Sequence, residues 1–305
     1  MNPLSALIIG YGSIGRRHAE ILQKMDMISN VAICTSQFDI PYETIRSLEE
    51  IPKLNPDYIV ISSNTSSHKK QLMFLEENLI GKNILVEKPL FDSFDNLEIN
   101  KNQVFVDYNL HFHPLLIKIK EKISYKHLWN IDVFCGSYLP EWRPRRDYRE
   151  TTSAKKGAGG GVLLELSHEL DYVRWIAGAL DVEHVQNCKV SDLEIETDDL
   201  LLFTGRSERC PHVHISLNYF TRRPMRQILI DGECISIQAD LIANTASVYE
   251  HNNWSEFSWP QLQRNDTYLA QHKAIINGDF SNVCTYKEGL ETMRLIDSIR
   301  SFNSR

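Results

Sequence analysis

Leu4-Ser5-Ala6-Leu7-Ile8-Ile9-Gly10-Tyr11-Gly12-Ser13-Ile14-Gly15-Arg16-Arg17 is the stretch on which the fold turns. An apolar run with the look of a buried strand leads straight into Gly10-x-Gly12-x-x-Gly15, and a helical pattern follows. This spacing binds a dinucleotide when it joins a strand to a helix. Gly10 suits the tight turn, Gly12 has no side chain to hold a pyrophosphate away, and Gly15 lets the helix pack close to the strand. The unpaired N–H groups of the first helical turn then face two phosphates. Gly10, Gly12, Ser13, Ile14, Gly15 and Arg16 are therefore candidate cofactor contacts. A glycine-rich strand-to-helix turn without a ligand is the competing reading.

Outward from this turn, the pattern predicts a helix from Ser13 to about Met27 and a strand at Val31–Thr35. A short helix over Tyr42–Glu50, a strand at Tyr58–Ser62 and a helix over His68–Asn78 with Gly81 as its stop follow. Asn83–Glu87 and Gln103–Tyr108 read as further strands, while 90–102 is short for a helical crossover. Strands alternating with helices predict an α/β domain with a mostly parallel sheet, its ligands beyond the carboxyl ends of the strands. After Pro114 the text changes. A helix over Leu115–Ile123 and a strand at Trp129–Cys135 precede an arginine-dense loop, Pro140–Lys156. The run Gly157-Ala158-Gly159-Gly160-Gly161 opens a helix over 162–177, which Gly178 stops. From 181 to about 257 the text is β-rich, with strands expected at Val182–Val190, Asp199–Phe203, His212–Phe220, Arg226–Asp231 and Cys234–Gln238, the last two joined at Asp231-Gly232. Helices return at 264–277 and 286–301. The expected organisation is a nucleotide-binding domain over 1–113 and an α+β domain with a largely antiparallel open sheet over 114–305, the last helix being able to pack back on the first domain.

A formal net charge of -7 argues against a general nucleic-acid binder. No stretch approaches the ~20 apolar residues of a membrane-spanning helix, and the chain enters its first strand without a basic leader. Cys34, Cys135, Cys188, Cys210, Cys234 and Cys284 are dispersed with no C-x-x-C pair, which suggests buried, reduced thiols in a cytoplasmic protein. His111 with His113, and His212 with His214, would each share a strand face, but neither pair has a third ligand nearby, and no metal is expected.

Three clusters could carry chemistry. Glu87-Lys88-Pro89 follows a strand of the nucleotide domain, where a lysine can reach a nicotinamide and stabilise a developing oxyanion. A solvated surface lysine is the plain alternative. Glu165, His168 and Asp171 would share a helix face at i,i+3 spacing. A histidine with a reference pKa of about 6.5 exchanges protons near neutrality. An ion pair of Asp171 with Arg174 on the helix surface competes with that reading. Trp142, Arg143, Tyr148 and Arg149 could hold an anionic sugar through bidentate guanidinium contacts and aromatic faces, against a merely solvated loop. Asn64, His68 and Glu87 complete the candidate cofactor contacts, and Asn109 the substrate contacts. The second strand ends Cys34-Thr35-Ser36-Gln37 without an acidic residue for an NAD ribose, and Ser36 with Arg16 or Arg17 could receive a 2′-phosphate. NADP is favoured slightly over NAD.

Together these features resemble the glucose–fructose oxidoreductase/inositol dehydrogenase (Gfo/Idh/MocA) family. The resemblance rests on Gly10-x-Gly12-x-x-Gly15, Glu87-Lys88-Pro89, Tyr108-Asn109 with Phe112 and Pro114, and Gly159-Gly160-Gly161 leading to His168-x-x-Asp171. It implies a Rossmann domain followed by an α/β domain whose open sheet supports the active site and often an oligomer interface. It also implies oxidation or reduction of sugar carbons with NAD or NADP. By resemblance, Lys88 matches the lysine beside nicotinamide and substrate, and His168 the catalytic histidine. Many members carry an aspartate four residues before that histidine; here the position is Leu164, and Glu165 stands three before. His111 replaces a frequent arginine and Asp107 a common glycine. The stretch Tyr138–Pro144, Asp147-Tyr148-Arg149 and Gly161–Tyr172 looks like a branch tied to bacterial surface-polysaccharide and sialic-acid-like sugars. The resemblance thus implies hydride transfer on a sugar, possibly anionic or nucleotide-linked, by a homo-oligomer, dimer or tetramer, built through the C-terminal sheet. A cofactor-recycling epimerase or dehydratase, or a non-catalytic sugar-nucleotide-binding protein, are the alternatives.

Overall fold

The structure is a computed structural model that describes residues 3–302. The chain forms β1 (Leu4–Ile9), α1 (Ser13–Leu22), β2 (Ile28–Cys34), β3 (Glu43–Ile45), α2 (Ile51–Leu54), β4 (Tyr58–Ile61), α3 (Thr65–Asn78), β5 (Asn83–Val86) and β6 (Gln103–Val106). Next come α4 (Pro114–Ile123), β7 (Leu128–Gly136), α5 (Val162–Glu165), α6 (His168–Ala177), β8 (Leu180–Cys188), β9 (Leu200–Ser207) and β10 (His212–Asn218). β11 (Met225–Gly232), β12 (Ile235–Asp240), β13 (Thr245–Glu250), β14 (Asn253–Ser258), α7 (Asp266–Asn277) and α8 (Tyr286–Phe302) follow. The residues divide into two compact units. One runs through Phe112 and takes in Gln263–Glu291; the other is His113–Leu262 with the residues from Thr292 onward.

The first unit is a parallel sheet in the order β3-β2-β1-β4-β5-β6. β1 lies where the strand order reverses, so its glycine turn opens at the switch point that binds ligands in such sheets. Tyr58-Ile59-Val60-Ile61 is buried throughout, as expected of a parallel strand covered on both faces. Under α1 and α7 the core is built from Ala6, Ile8, Leu22, Ile33, Val60 and Ile275. The helix expected over Tyr42–Glu50 does not form. Glu43, Thr44 and Ile45 instead pair with Ala32, Ile33 and Cys34, so the sheet takes their main-chain bonds. Ser47 and Glu50 then close a capping box over the short turn Leu48–Glu50. α1 stops at Leu22, short of Met27. The link between β5 and β6 carries no helix, yet Val86 and Val106 pair in parallel register. Strands of 4 residues need a return of only about 13 Å; Leu90 and Phe91 bury themselves along the way.

The second unit is an eight-stranded sheet in the order β14-β13-β12-β11-β7-β10-β9-β8. Its pairs are antiparallel except β7 with β10. Alternation sets the faces: Val213, Ile215 and Leu217 of β10 are buried while His212 and His214 are exposed. β13 and β14 fall within the expected β-rich stretch to about 257, where the sequence delimits no individual strand beyond Gln238. They turn through His251-Asn252, both at positive φ, in the manner of a two-residue hairpin. β14 is an edge strand with an exposed, polar pattern, which hides it from a hydrophobicity reading. The β11–β12 hairpin exists, but Gly232 pairs with Ile235, so Glu233 and Cys234 make the turn in place of Asp231-Gly232. The helix expected over 162–177 breaks at Leu166-Ser167 because its halves are tied to different partners: α5 to Asp198, α6 through Glu169 to Arg226. His111 and His113 share no strand. Asn109–Phe112 is a 3-10 turn, and His113 caps α4 by accepting the Leu115 N–H at 3.3 Å. Cys34, Cys135, Cys210 and Cys284 are buried, while Cys188 is half-buried and Cys234 exposed.

Candidate functional site

The glycine turn can be tested atom by atom. Gly10 takes φ +97°, and a Cβ there would stand 2.8 Å from the Ser63 backbone. At Gly15 a Cβ would stand 2.1 Å from the Gly10 carbonyl oxygen, so helix and turn meet with no room to spare. Gly12 differs: a Cβ there would meet nothing within 4 Å. Two glycines are demanded by packing and the third keeps open the space before the N–H groups of α1, as a pyrophosphate cradle requires. Exposed Arg16 lies over the Tyr11 ring at 5.3 Å. Beyond β2, Ser36 is exposed, and the Arg46 guanidinium donates to the Thr35 carbonyl at 3.0 Å and to that of Gln37. Arg46 also covers Phe38 at 4.5 Å. The sequence reading missed this cation because it reaches the Ser36 loop from beyond β3, outside any motif. Exposed Asn64 occupies the N-cap position of α3. His68 is buried, and its Nδ1 lies 3.2 Å from the carbonyl oxygens of Pro89 and Leu90, bracing the turn after Lys88.

Glu87 and Lys88 leave β5 level with the glycine turn: the Glu87 N–H donates to the Ile61 carbonyl, and that of Ser62 to Ile9. Glu87 Oε2 accepts the main-chain N–H of Lys88 at 3.1 Å. Glu87 Oε1 lies 3.0 Å from His18 Nε2, which is also 3.3 Å from Asp107 Oδ2. His18 Nδ1 meets His272 Nε2 at 2.9 Å, and His272 Nδ1 meets the Tyr58 hydroxyl at 2.8 Å. Gln271 donates to Asp107 Oδ1 at 2.7 Å. Burial alone would lower the His18 pKa, but hydrogen bonds to Asp107 and Glu87 raise it to about 9. Burial and the neighbouring Asp107 charge raise Glu87, against the pull of His18. Burial would also raise Asp107, but its bond to His18 outweighs this and holds it low. Burial, with His18 beside it, depresses His272 to about 3 and keeps it neutral. The His18, Glu87 and Asp107 donors lie within 4.8 Å of one another. Direct contacts among them, and His272 on the other imidazole nitrogen, make this a hydrogen-bonded ion cluster. Asn109 is buried and donates to Thr267 Oγ1 at 3.3 Å.

In the second unit, His168 opens α6 and is half-buried. Glu165 ends α5, so the two stand on successive helices and not on one continuous face. The Ser153 hydroxyl donates to Glu165 Oε1 at 2.9 Å, tying the arginine-dense loop to this carboxylate. Asp198, unnoticed in the sequence, holds α5: its Oδ2 accepts the Leu163 N–H at 2.9 Å and its carbonyl the Val162 N–H at 3.1 Å. The Asp171–Arg174 pair exists, 3.8 Å apart, but its side chains are 1% and 9% exposed, so it is internal and not a surface pair. Trp142 donates to Ser137 Oγ at 2.8 Å and meets Tyr219 edge-on. With exposed Arg143, Tyr148 and Ser153, it lines a small recess. Arg149 is engaged by both Asp147 oxygens and by Glu194 at 3.0 Å, which places its guanidinium in an exposed ion network.

Residues 4–104 match the model of an oxidoreductase family with an NAD-binding Rossmann fold, Gfo/Idh/MocA. No curated protein sequence matches the chain. Solved structures share the fold at low identity. UDP-N-acetylglucosamine 3-dehydrogenase GnnA from Acidithiobacillus ferrooxidans is 16% identical with TM-score 0.77, over 99% of this chain and 98% of that one. The WlbA dehydrogenase from Bordetella pertussis, in complex with NADH and UDP-GlcNAcA, is 18% identical with TM-score 0.78, over 99% and 97%. Levoglucosan dehydrogenase in complex with NADH is 14% identical with TM-score 0.85, over 99% and 97%.

The NAD-binding Rossmann segment explains the division of labour among the glycines. Gly12 would leave the pyrophosphate room, and the N–H groups of α1 would receive it. Among the described residues, no helix is long and apolar enough to cross a membrane.

Proposed function

We propose that this chain is an NAD(P)-dependent oxidoreductase that exchanges a hydride between the nicotinamide and a carbon of a sugar, anionic or nucleotide-linked. The observation that carries this reading is the open space at Gly12, kept between two tightly packed glycines at the sheet's switch point. The bound cofactor supplies the hydride chemistry, and the protein supplies orientation and charge. Lys88, held at the end of β5, offers a cation to the oxygen on which charge develops as hydride leaves carbon. His168 accepts the hydroxyl proton in oxidation and returns it in reduction. Glu165, steadied by Ser153, orients or charges that histidine in place of the aspartate missing at position 164. Asn109, Trp142, Arg143 and Arg149 complete the substrate contacts. GnnA is a UDP-N-acetylglucosamine 3-dehydrogenase and WlbA is seen in complex with UDP-GlcNAcA, which favours a UDP-linked sugar, and the arginine-dense loop suits its anionic groups.

NADP is favoured over NAD because Ser36, with Arg46 beside it, suits a 2′-phosphate, and Cys34-Thr35-Ser36-Gln37 at the end of β2 has no carboxylate for a ribose, Asp39 lying further along the loop. A dimer or tetramer would use the open face of the second unit's sheet, where Phe134, Leu202 and Leu229 remain partly exposed. The dispersed and mostly buried cysteines suit a reducing, cytoplasmic setting.

The test is turnover of UDP-sugars and acidic sugars with NAD and NADP, read as formation of reduced nicotinamide. Lys88→Ala and His168→Asn should each lower kcat at least about a hundredfold. Undiminished turnover in both would remove the proposed machinery.

A further inference from the structure

The cluster beneath Glu87 has more members than an anchor for one lysine requires. Tyr58, His272, His18 and Glu87 form an unbroken line of contacts at 2.8, 2.9 and 3.0 Å, with Asp107 against the same His18 nitrogen. Two imidazole nitrogens 2.9 Å apart share one hydrogen, so the line has two consistent arrangements. In one, His18 donates to His272 and to the carboxylates and is a cation. In the other, Tyr58 donates to His272, His272 to His18, and His18 is neutral with its Nε2–H on the carboxylates. With both carboxylates ionised, the cluster is negative either way, by one charge or two. Each protonation of Glu87 removes one unit.

The location gives this charge a target. β1, β4 and β5 are adjacent and end level, so Glu87 lies two strand spacings, about 10 Å, from the glycine turn. Both sit at the carboxyl edge, where a dinucleotide lies in such sheets. The oxidised nicotinamide ring is a cation and the reduced ring is neutral; the rest of the dinucleotide is the same in both. We propose that the Glu87–His18–Asp107 cluster discriminates between the two oxidation states of the cofactor: its negative charge favours the oxidised ring, and proton uptake at Glu87 weakens that preference. This rests on the proposed binding of a nicotinamide dinucleotide to the first unit. The charged and titratable groups facing Glu87 are His18 from α1, Asp107 after β6, Tyr268 and His272 from α7, and its neighbour Lys88. Burial and Asp107 place the Glu87 proton in the neutral range, at about 7. A cluster titrating there changes its charge across physiological pH.

The experiment is calorimetric titration of the full chain with NAD+ and with NADH across neutral pH, and with NADP+ and NADPH if these bind more tightly. The ratio Kd(oxidised)/Kd(reduced) cancels the shared phosphates. It should fall about threefold to tenfold as pH rises from about 6 to about 8, because Glu87 loses its proton and the cluster gains a negative charge. In Glu87→Gln the ratio should stay at its high, low-pH value throughout. In Asp107→Asn the transition should move to lower pH, since the charge that raises Glu87 is gone; this and the unaltered protein keep the test open if Glu87→Gln fails to fold. A flat ratio in the unaltered protein, or the same pH dependence in Glu87→Gln, overturns the inference while leaving dinucleotide binding intact. Failure of every dinucleotide to bind overturns the proposed function, and this inference with it.

Discussion

Three glycines in one turn answer to different constraints, and substitution should separate them. Gly15→Ala brings a Cβ to 2.1 Å from the Gly10 carbonyl oxygen, backbone that no side-chain rotation relieves. Overpacking of this kind costs about 1–3 kcal/mol. The expected outcome is a lowered Tm for Gly15→Ala and an unchanged one for Gly12→Ala, whose Cβ meets open space, read by thermal unfolding without ligand. Equal losses at both would contradict the assignment. The demand at each glycine is local, which is why the cradle was legible in the sequence. The ion cluster was not: His18 and His272 are separated by |i−j| of 254, and the histidine spacing along the chain gives no hint of the contact. Lys88 was found as one residue of a motif; what holds Glu87 beneath it was visible only after folding.

At the scale of elements, α6 shows how a buried charge fixes a helix. Glu169 is 0% exposed and accepts from Arg226 Nε at 2.6 Å across to β11. Its second oxygen has no hydrogen-bond partner among the described residues. Removing the cation should be expensive: Arg226→Met is expected to cost about 3–5 kcal/mol, while Glu169→Leu with Arg226→Met recovers most of it. Urea unfolding of the single and double variants checks this, and an additive double variant would contradict it. The same tie explains why a continuous helix over 162–177 was misread. Leu163, Leu166, Leu170 and Val173 keep helical spacing through the break, so periodicity alone does not register it. Asp198 on one half and Arg226 on the other decide the matter; the first lies just before β9 and the second on β11, both distant in sequence. Likewise β14 escaped because an edge strand exposed on alternate residues carries little hydrophobic signal, whereas β4 and β5 announce themselves by continuous Ile, Val and Leu.

For the whole molecule, the second unit's sheet offers an open face lined by residues of β7, β9, β10, β11, β12 and β13. A sheet of eight strands with Phe134, Leu202 and Leu229 partly exposed along its middle is suited to a second copy of itself. If a second copy docks on this face, Leu229→Glu should lower the mass in light scattering to that of a monomer while leaving dinucleotide affinity unchanged; an unaltered mass would count against an interface here. The alternation of strands and helices predicted the parallel first sheet, and the later run of strands predicted the antiparallel second one. The return of α7 to the first unit was not foreseen. Nothing in its sequence marks it, and yet it supplies His272, Gln271 and Tyr268 to the cluster.

The account rests on a dinucleotide seated over Gly12. Calorimetry of NADH and NADPH against the unaltered chain and Gly12→Val tests this most directly, because a Cβ at that position meets nothing within 4 Å and the side chain starts into open space. The unaltered chain should bind at least one dinucleotide, and Gly12→Val should lose at least about tenfold in affinity with an unchanged Tm. Equal affinity in both proteins, or no binding to the unaltered chain, would contradict it.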